Sequence, residues 1–461
     1  HGMNRITAAI LLASLAALAA QTAVVTRTGF LMGDFRAFYC GARVTSQGEN
    51  PYLAQPLRTC EVGVGRNLFF RKNPGVTIPA PLPGYVLAAL VPLGALPFVV
   101  AGTLWTILLL CACAACIVTL ARFAGIEWQV ALAVFALSLC TISLPFGEVV
   151  PLALACICAA AYFAWRSRWR TAALFAAGAM IEPHLGLPVC IALAVWAPAT
   201  RLPLVLSLGV LGIVSLAVLG PATNFEYFTS VLPAHALSEA ARDTQYSLTA
   251  VLFALGAPAS VALRTGLLWY GAMLALGTLV AGLLARKTGN NAFFVCIPPA
   301  FAVFGGSFIH VTQIAAALPA GVLLTSCAKK EQRSLAAVAL LLLAVPWSWA
   351  ISPALVIAPL FPVGYLAWHY WNGNARVALL AALAAALLLW GLIELAAVAP
   401  GAAAHARTLA IDPRLAEATW SNFTQKSSTN SIAAWMLRVP TWAGLLLLLT
   451  RAIAYAPREA R

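Results

Sequence analysis

Residues 377–393 read VALLAALAAALLLWGLI, and no charged side chain interrupts this stretch. A run of about 20 apolar residues is long enough to cross the hydrocarbon core of a bilayer as an α-helix. The strands of a membrane β-barrel would instead show about 10 residues of strict alternation. The continuous pattern rich in Ala and Leu therefore predicts an all-α membrane protein.

The composition of the whole chain agrees with this interpretation. Of its 461 residues, 62% are hydrophobic and only 9% are Asp, Glu, Lys or Arg. An ordinary soluble domain has about 25% charged residues, so soluble, disordered and fibrous proteins are excluded. Similar apolar runs recur from residue 6 to residue 456. Because each span needs about 20 apolar residues, we predict about 12 transmembrane helices.

The chain is predicted to form a single transmembrane domain over residues 3–461, preceded by a tag remnant at residues 1–2. Three polar segments are predicted to lie outside the membrane, namely 26–77, 221–247 and 399–439. Basic residues of short loops favour the cytoplasmic side. Arg286 and Lys287 satisfy this rule if the segments 221–247 and 399–439 face outward. We therefore predict a multi-pass membrane protein whose polar segments face outward, which is the periplasmic side if the membrane is the inner membrane of a bacterium.

The first polar segment, 26–77, is predicted to form short amphipathic helices on the outer face. It carries seven basic and three acidic side chains, which opposes the usual bias of positive charge toward the cytoplasm. This charge fits either attraction to anionic lipid headgroups or a site for a phosphate group, for which Arg and Lys are natural partners. Cys40 and Cys60 lie in the same segment. An oxidising periplasm would allow them to form a disulfide, and the sequence allows free thiols as well.

Asp34 lies near the expected membrane boundary, in the sequence GDFRAFY of residues Gly33–Tyr39. An isolated acidic residue in such a place is more often a helix cap or an ion partner than a catalytic group. The aromatic residues beside it and the turn-forming sequence GENPY at Gly48–Tyr52 indicate a structured loop. Structured loops frequently carry functional residues, which favours a functional role for Asp34.

Polar residues also occur inside apolar runs, beside sequences that break helices. Charged groups at membrane depth are costly and are therefore functional candidates. The residues are Glu148, Glu182, His184 and His310. For His310 the simpler interpretation is a hydrogen bond between helices. The sequence contains no Asp-x-Asp pair, phosphate-binding glycine loop, serine elbow or zinc-binding histidine cluster, which argues against metal-dependent chemistry on a nucleotide sugar.

These residues belong to a series of motifs between about residues 30 and 315. The series consists of Asp34, Gly48–Tyr52 (GENPY), Pro79–Leu82 (PAPL), Gly147–Val150 (GEVV), Glu182–His184 (EPH), Gln245–Leu248 (QYSL) and His310. In order and spacing it resembles polyprenyl-phosphate-sugar-dependent glycosyltransferases of the C-type fold. It is most similar to glycosyltransferase family 87, which includes mannosyltransferases that extend phosphatidylinositol mannosides. Glu148, Val150 and Glu182 replace the Gln, Asn and Lys of the family pattern.

The resemblance implies an enzyme that moves a mannose-like hexose or a pentose from a polyprenyl-phosphate donor to a hydroxyl of a lipid or glycan acceptor. The transfer would invert the sugar on the periplasmic side, among membrane lipids and without cofactor, metal or nucleic acid. Asp34 would be the general base, and His310 would assist the leaving phosphate. The implied donor-binding residues are Arg36, Arg66, Arg71, Lys72 and His184. The implied cavity residues are Tyr39, Asn50, Tyr52, Glu148, Glu182, Gln245 and Ser247.

A second class of protein fits part of this pattern. Broken helices with Glu and His at membrane depth are also typical of proton-coupled transporters and of lipid or polyprenyl flippases. Such proteins commonly have two similar halves, which this sequence does not show. A transporter also gives no reason for the long structured segment 26–77. We favour the glycosyltransferase hypothesis and predict that Asp34, His310 and the stretch Arg66–Lys72 converge on one cavity.

Overall fold

In a computed structural model the protein is all-α. The structure describes residues 5–65, 67–136, 142–242, 244–327, 330–345, 347, 360–370, 374–398, 409–427 and 435–456. Within these ranges the extended pairings are two isolated bridges, Leu53 with Leu415 and Gln245 with His310. The all-α class predicted from the apolar runs is confirmed.

Twenty-two helices are numbered here in chain order within the described residues. The first ten are α1 Arg5–Thr28, α2 Gly33–Ser46, α3 Ala54–Gly63, α4 Leu68–Lys72, α5 Gly84–Gly94, α6 Phe98–Ala124, α7 Trp128–Phe135, α8 Leu144–Phe146, α9 Val150–Trp165 and α10 Trp169–Gly178. The others are α11 Pro183–Trp196, α12 Arg201–Glu226, α13 Leu232–Ser238, α14 Leu248–Ala254, α15 Ala259–Thr288, α16 Phe293–Ala302, α17 Leu318–Cys327, α18 Lys330–Ala344, α19 Leu360–Tyr370, α20 Ala375–Val398, α21 Ala416–Ser427 and α22 Val439–Tyr455.

Three helical stretches of the described chain are long and apolar enough to cross a membrane. They are α6, α15 and the stretch Pro198–Ser238, which contains α12 and α13. The last of these bends at Gly220, where the backbone is not helical. Shorter apolar helices, including α9, α11 and α16, pack with them. This composition is that of a membrane protein, and the count of about 12 spans stays a prediction.

Small residues allow the central helices to approach closely. Helix α9 packs against α6 and α10, and α16 packs against α11 and α15. The buried residues of α9 and α10 are mostly alanines. Small side chains at helix interfaces let backbones come together and gain dispersion contacts, which is how helices associate where lipid replaces water.

The polar segments predicted to lie outside the membrane pack against one another where the structure describes them. The backbone N–H of Ala54 donates to the carbonyl of Arg414, and that of Ala416 donates to the carbonyl of Tyr52. Helix α21 packs on α3 and α13. Most of the segment 399–439 is described, while residues 399–408 and 428–434 lie outside the described residues.

Helix α2, which was predicted to be an amphipathic helix on the outer face, is enclosed by protein, and its position relative to a membrane stays a prediction. Nearly all of its side chains are buried, and it packs along α5. The physical reason is its aromatic and alanine content, since Phe35, Phe38 and Tyr39 together bury a large apolar area. Helix α2 is therefore an internal element, and Asp34 at its start is held by a packed scaffold.

A disulfide joins α2 to α3. Cys40 and Cys60 are bonded, with their Cα atoms 5.6 Å apart. Of the two states that the sequence allowed, the structure has the paired one. The bond links α2, whose first turn contains Asp34, to α3, and so restricts movement of α2.

Replacing both cysteines, Cys40→Ser with Cys60→Ser, should lower the unfolding free energy by about 2–4 kcal/mol, because the unfolded chain loses a cross-link. Thermal unfolding of the purified protein in detergent measures the effect. The exposed free thiol Cys111 provides the control, and Cys111→Ser should leave the melting temperature unchanged. Reaction of Cys40 and Cys60 with maleimide in unfolded, unreduced protein would contradict the assignment.

Candidate functional site

A cavity of about 410 Å³ opens where the polar segments meet the ends of several helices. Its wall is largely apolar and includes Phe30, Phe38, Phe146, Tyr227 and Trp420. The polar residues that line it include Asp34, Glu148, Glu182, His184, His235, Glu239, Arg242, Thr244, Ser307, His310, Thr312 and Gln313. A mainly apolar cavity with a small group of convergent polar side chains is the usual form of a ligand-binding site.

Asp34 reaches this cavity from the first turn of α2. The backbone N–H of Met32, just before the helix, donates to the carbonyl of Pro145 at 2.7 Å and so fixes where α2 begins. Burial raises the pKa of Asp34 to about 7. The charge of Arg242 lowers this pKa, and that of Glu239 raises it. A carboxyl group with a pKa near 7 exchanges protons readily at neutral pH.

Glu148 enters the same cavity through a sharp turn at Gly147. Gly147 has a φ of +75°, and a Cβ atom there would lie 2.6 Å from the Cβ of Phe35. The position therefore requires glycine for both its backbone and its space. Trp105 Nε1 donates to the Gly147 carbonyl at 2.8 Å and holds the turn. The sequence motif at residues 147–150 thus forms a tight backbone turn that brings Glu148 to the cavity.

The Glu239 carboxylate contacts hydrogen-bond donors from three parts of the chain. Arg242 Nη1 lies 3.2 Å from both carboxylate oxygens, and His310 Nε2 lies 3.3 Å from Oε2. Trp420 Nε1 donates a hydrogen bond to Oε1. The Glu239 side chain is 2% exposed, and burial alone would raise its pKa. Arg242 and His310 outweigh burial and hold the pKa well below its usual range, so Glu239 is an anion at neutral pH.

His310 is held by its backbone as well as by its ring. The N–H of Tyr246 donates to the Ile309 carbonyl at 2.7 Å, and the N–H of Val311 donates to the Thr244 carbonyl at 3.0 Å. The ring Nδ1 lies 3.4 Å from Thr244 Oγ1. Residues 244–246 and 309–311 are not α-helical, and their N–H and carbonyl groups form hydrogen bonds with one another in place of the bonds that an α-helix would provide. The pairing also fixes His310 beside Glu239.

Gln313 connects this group to a second polar group in the cavity. Its Oε1 accepts from the backbone N–H of His310 at 2.7 Å, and its Nε2 donates to Glu182 Oε1 at 3.0 Å. His184 Nε2 lies 3.3 Å from the same carboxylate oxygen. Glu182 and His184 stand at the start of α11, on either side of Pro183. The Gln313 amide thus connects the His310 backbone to the Glu182 carboxylate by two hydrogen bonds.

The Phe308 ring separates three histidines. The ring centroids of His235, His310 and His184 lie 4.7, 5.0 and 6.1 Å from that of Phe308. His235 also has a buried acidic neighbour, with Nδ1 4.0 Å from Glu417 Oε1. Phe308 thus keeps the imidazoles apart while all three line one cavity.

The sequence hypothesis placed several residues at one site, and the structure brings part of that set together. Asp34, Glu148, Glu182, His184 and His310 all line the cavity. They come from different helix ends, spread over most of the first 310 residues. Their proximity agrees with the predicted convergence of Asp34 and His310, while their chemical roles stay predictions.

The arginines and the lysine expected at the donor phosphate do not line the cavity where they are described. Arg36 donates to the Glu61 carbonyl at 2.8 Å and lies over the Phe98 ring, inside the protein. Arg71 and Lys72 are exposed at the end of α4. Arg66 lies outside the described residues. The net charge of a loop does not specify which side chains turn inward, and the prediction for Arg36, Arg71 and Lys72 is corrected.

A second set of predicted cavity residues is structural. The hydroxyls of Tyr39 and Tyr52 donate to backbone carbonyls. The Asn50 amide donates to the carboxylate at the end of α12. Gln245 Oε1 accepts a backbone N–H, and Ser247 caps α14. These polar atoms stabilise the chain around the cavity, and none of the five residues lines it.

The cavity residues that the sequence did not indicate include His235, Glu239, Arg242 and Trp420. The first three lie in the segment 221–247, and Trp420 lies in the segment 399–439. Charged residues are ordinary in polar segments outside a membrane, so their composition gave no signal. Trp420 comes from beyond the motif-bearing part of the chain, where no pattern pointed to function.

Comparison of the chain with protein-family models, with curated proteins and with solved structures found no match. Arguments about activity therefore depend on the geometry of the cavity and on the sequence motifs. The geometry provides a carboxyl group with a pKa near 7 and a guanidinium beside a histidine. Among the described residues, no three His, Cys, Asp or Glu side chains are grouped to hold a metal ion.

Asp34→Asn should stabilise the protein at alkaline pH. Folding raises the pKa of Asp34 from 3.8 to about 7, so the folded state binds the proton more tightly. Stability is therefore lost as the pH rises from about 4 to about 7. Thermal unfolding should give a higher melting temperature for the variant than for the wild type at pH 8, and little difference at pH 4.

Asp412→Asn is the control for this measurement, because Asp412 lies outside the cavity and pairs with Arg414. Arg414 lowers the pKa of Asp412, so its replacement should not stabilise the protein at pH 8. An Asp34→Asn variant that melts at the wild-type temperature at pH 8 would contradict a raised pKa at Asp34.

Proposed function

We propose that the protein is a membrane glycosyltransferase that uses a polyprenyl-phosphate sugar as donor. It transfers a mannose-like hexose or a pentose to a hydroxyl of a lipid or glycan acceptor. The proposal includes a multi-pass C-type fold of about 12 transmembrane helices in a bacterial inner membrane, with the site on the periplasmic side. The observation that carries it is one apolar cavity in which Asp34, Arg242 and His310 meet.

Asp34 is proposed as the general base. A base must be deprotonated at the working pH and must exchange its proton easily, and a pKa of about 7 meets both conditions. It takes the proton of the acceptor hydroxyl as the oxygen attacks the anomeric carbon of the sugar. The bond between that carbon and the phosphate oxygen breaks, and the phosphate leaves with the electron pair. Attack from the side opposite the phosphate inverts the anomeric carbon.

Arg242 and His310 are proposed to bind the leaving phosphate. The Arg242 side chain lines the cavity and is 30% exposed, so a ligand in the cavity can contact it. Guanidinium groups suit phosphate oxygens because their N–H groups form a planar fork. Negative charge develops on the phosphate during bond breaking, and fixed donors in a low-dielectric cavity stabilise it strongly. Arg242 thus takes the role that the sequence hypothesis gave to Arg66, Arg71 and Lys72.

The wall of the cavity supports a lipid-linked substrate. Phe228, Leu232 and Leu267 line the cavity and are also exposed on the surface of the protein, Phe228 by 65% and Leu267 by 60%. They stand on the stretch before α13, on α13 and on α15. An apolar wall that continues onto an apolar surface suits an isoprenoid chain, which would gain about 25 cal/mol for each Å² of apolar area buried.

The disulfide supports the proposed orientation. Disulfides persist in oxidising compartments such as the periplasm and are rare in the cytosol. Cys40 lies in α2, the helix whose first turn carries Asp34, and is bonded to Cys60 of α3. Active-site chemistry on the periplasmic side also agrees with a donor that is already membrane-bound, since no nucleotide needs to be present there.

Transfer should depend steeply on Asp34. General base catalysis contributes roughly 10²–10⁴-fold, so Asp34→Asn should lower turnover by about that factor while the donor still binds. The assay uses purified protein in lipid vesicles, a radiolabelled polyprenyl-phosphate sugar and an acceptor lipid extract. The wild-type rate should rise with pH and reach half its maximum near pH 7, because the base must be ionised.

Arg242→Gln should raise the Michaelis constant for the polyprenyl-phosphate sugar and lower turnover. The combined loss in kcat/KM should be at least about 10²-fold, because removal of one preorganised hydrogen-bond donor typically costs that much. Arg414→Gln is the matched control, since Arg414 is a highly exposed arginine outside the cavity. Near-normal transfer by Asp34→Asn or by Arg242→Gln would remove that residue from the mechanism. Movement of lipid across the bilayer without transfer would favour a flippase.

Transfer should also persist in EDTA. The proposed reaction stabilises the leaving phosphate with side chains, so it requires no divalent cation. The radiolabel assay in vesicles, with and without chelator, measures this directly. Loss of activity in EDTA that Mg²⁺ or Mn²⁺ restores would contradict the metal-free mechanism.

A further inference from the structure

Trp420 contacts both partners of the buried ion pair at the base of the cavity. Its Nε1 donates to Glu239 Oε1, and its ring faces the Arg242 guanidinium at 5.4 Å from the centroid. Trp420 is 2% exposed, so its ring is fixed by packing. One rigid side chain therefore limits the movement of both the carboxylate and the guanidinium.

We propose that Trp420 is a positioning residue that sets Arg242 for anion binding through Glu239. The inference rests on the proposed function, because it takes Arg242 as the group that meets the donor phosphate. Arginine has several rotatable bonds, and fixing it before the ligand arrives reduces the entropy lost on binding. Glu239 provides the fixed anchor, and Trp420 provides the neutral donor that keeps Glu239 in place.

The chain around Trp420 holds the backbone of the same segment. Thr424, one turn later in α21, donates to the Ser238 carbonyl at 2.6 Å. Arg438, just before α22, donates from Nη2 to the carbonyl of Arg242 at 3.1 Å. The C-terminal part of the chain thus holds the segment from Ser238 to Arg242 through its backbone, and Trp420 holds the side chains of its ion pair. This separation allows the two contributions to be distinguished by mutation.

Trp420→Phe is the informative change, because phenylalanine keeps an aromatic face for Arg242 and removes only the N–H donor and part of the ring. The lost hydrogen bond is one to a charged group, which is the stronger kind. Without it the Glu239–Arg242 pair is less well fixed, and we expect roughly tenfold weaker binding or more. The measurement is the dissociation constant of undecaprenyl phosphate for purified protein in detergent. Trp196→Phe serves as the matched control, since Trp196 also donates from Nε1, to the Thr278 carbonyl, and also faces an arginine, Arg286, but lies outside the cavity. The affinity of this variant should equal that of the wild type.

A double-mutant cycle separates positioning from general destabilisation. If Trp420 acts through Arg242, Trp420→Phe should lower affinity about tenfold in the wild type and have no further effect in Arg242→Gln. Wild-type affinity in Trp420→Phe, or an equal loss in both backgrounds, would overturn the inference while leaving the proposed function intact. If the folded wild type does not bind undecaprenyl phosphate at all, the proposed donor is wrong and this inference fails with it.

Discussion

The architecture of the cavity depends on the hydrogen bonds and ion pairs that stabilise one buried carboxylate, that of Glu239. Leaving such an anion unpaired in a low-dielectric interior would be strongly destabilising, so its donors are fixed requirements of the fold. They are Trp420 of α21, Arg242 in the segment that follows α13, and His310 just before the 3-10 helix Val311–Ala317 that leads into α17. Parts of the chain separated by 181 residues are thereby held at one point. The site is consequently a product of tertiary structure, and no single motif contains it.

Breaks in the helices create the places where polar side chains gather. Where the backbone leaves the helix at residues 244–246 and 309–311, its N–H and carbonyl groups pair across the two segments. At Gly147 a turn that only glycine tolerates brings Glu148 to the cavity. In a membrane protein, irregular backbone is tolerated only where it is buried in protein or lines a cavity. The same breaks that prevent continuous helices therefore mark the functional region.

This relation explains how much of the protein could be predicted from its sequence. The apolar runs identified an all-α membrane protein, and the cost of charge at membrane depth pointed to Glu148, Glu182, His184 and His310, which line one cavity with Asp34. Glu239 and Arg242 were not predicted as site residues, because charged residues are common in polar segments such as 221–247. Arg71 was wrongly favoured for the complementary reason, because loop composition does not reveal that it is exposed.

The electrostatics of the cavity link the two halves of the proposed reaction. The charge of Arg242 lowers the pKa of Asp34, so an anion that binds to Arg242 weakens this effect and favours proton uptake by Asp34. Linkage is reciprocal, and a protonated Asp34 must therefore favour the anion at Arg242 by the same free energy. In glycosyl transfer the base gains a proton while the leaving phosphate gains negative charge. The coupling between Asp34 and Arg242 is therefore favourable: proton uptake by Asp34 and growth of negative charge on the phosphate at Arg242 cost less free energy when they occur together.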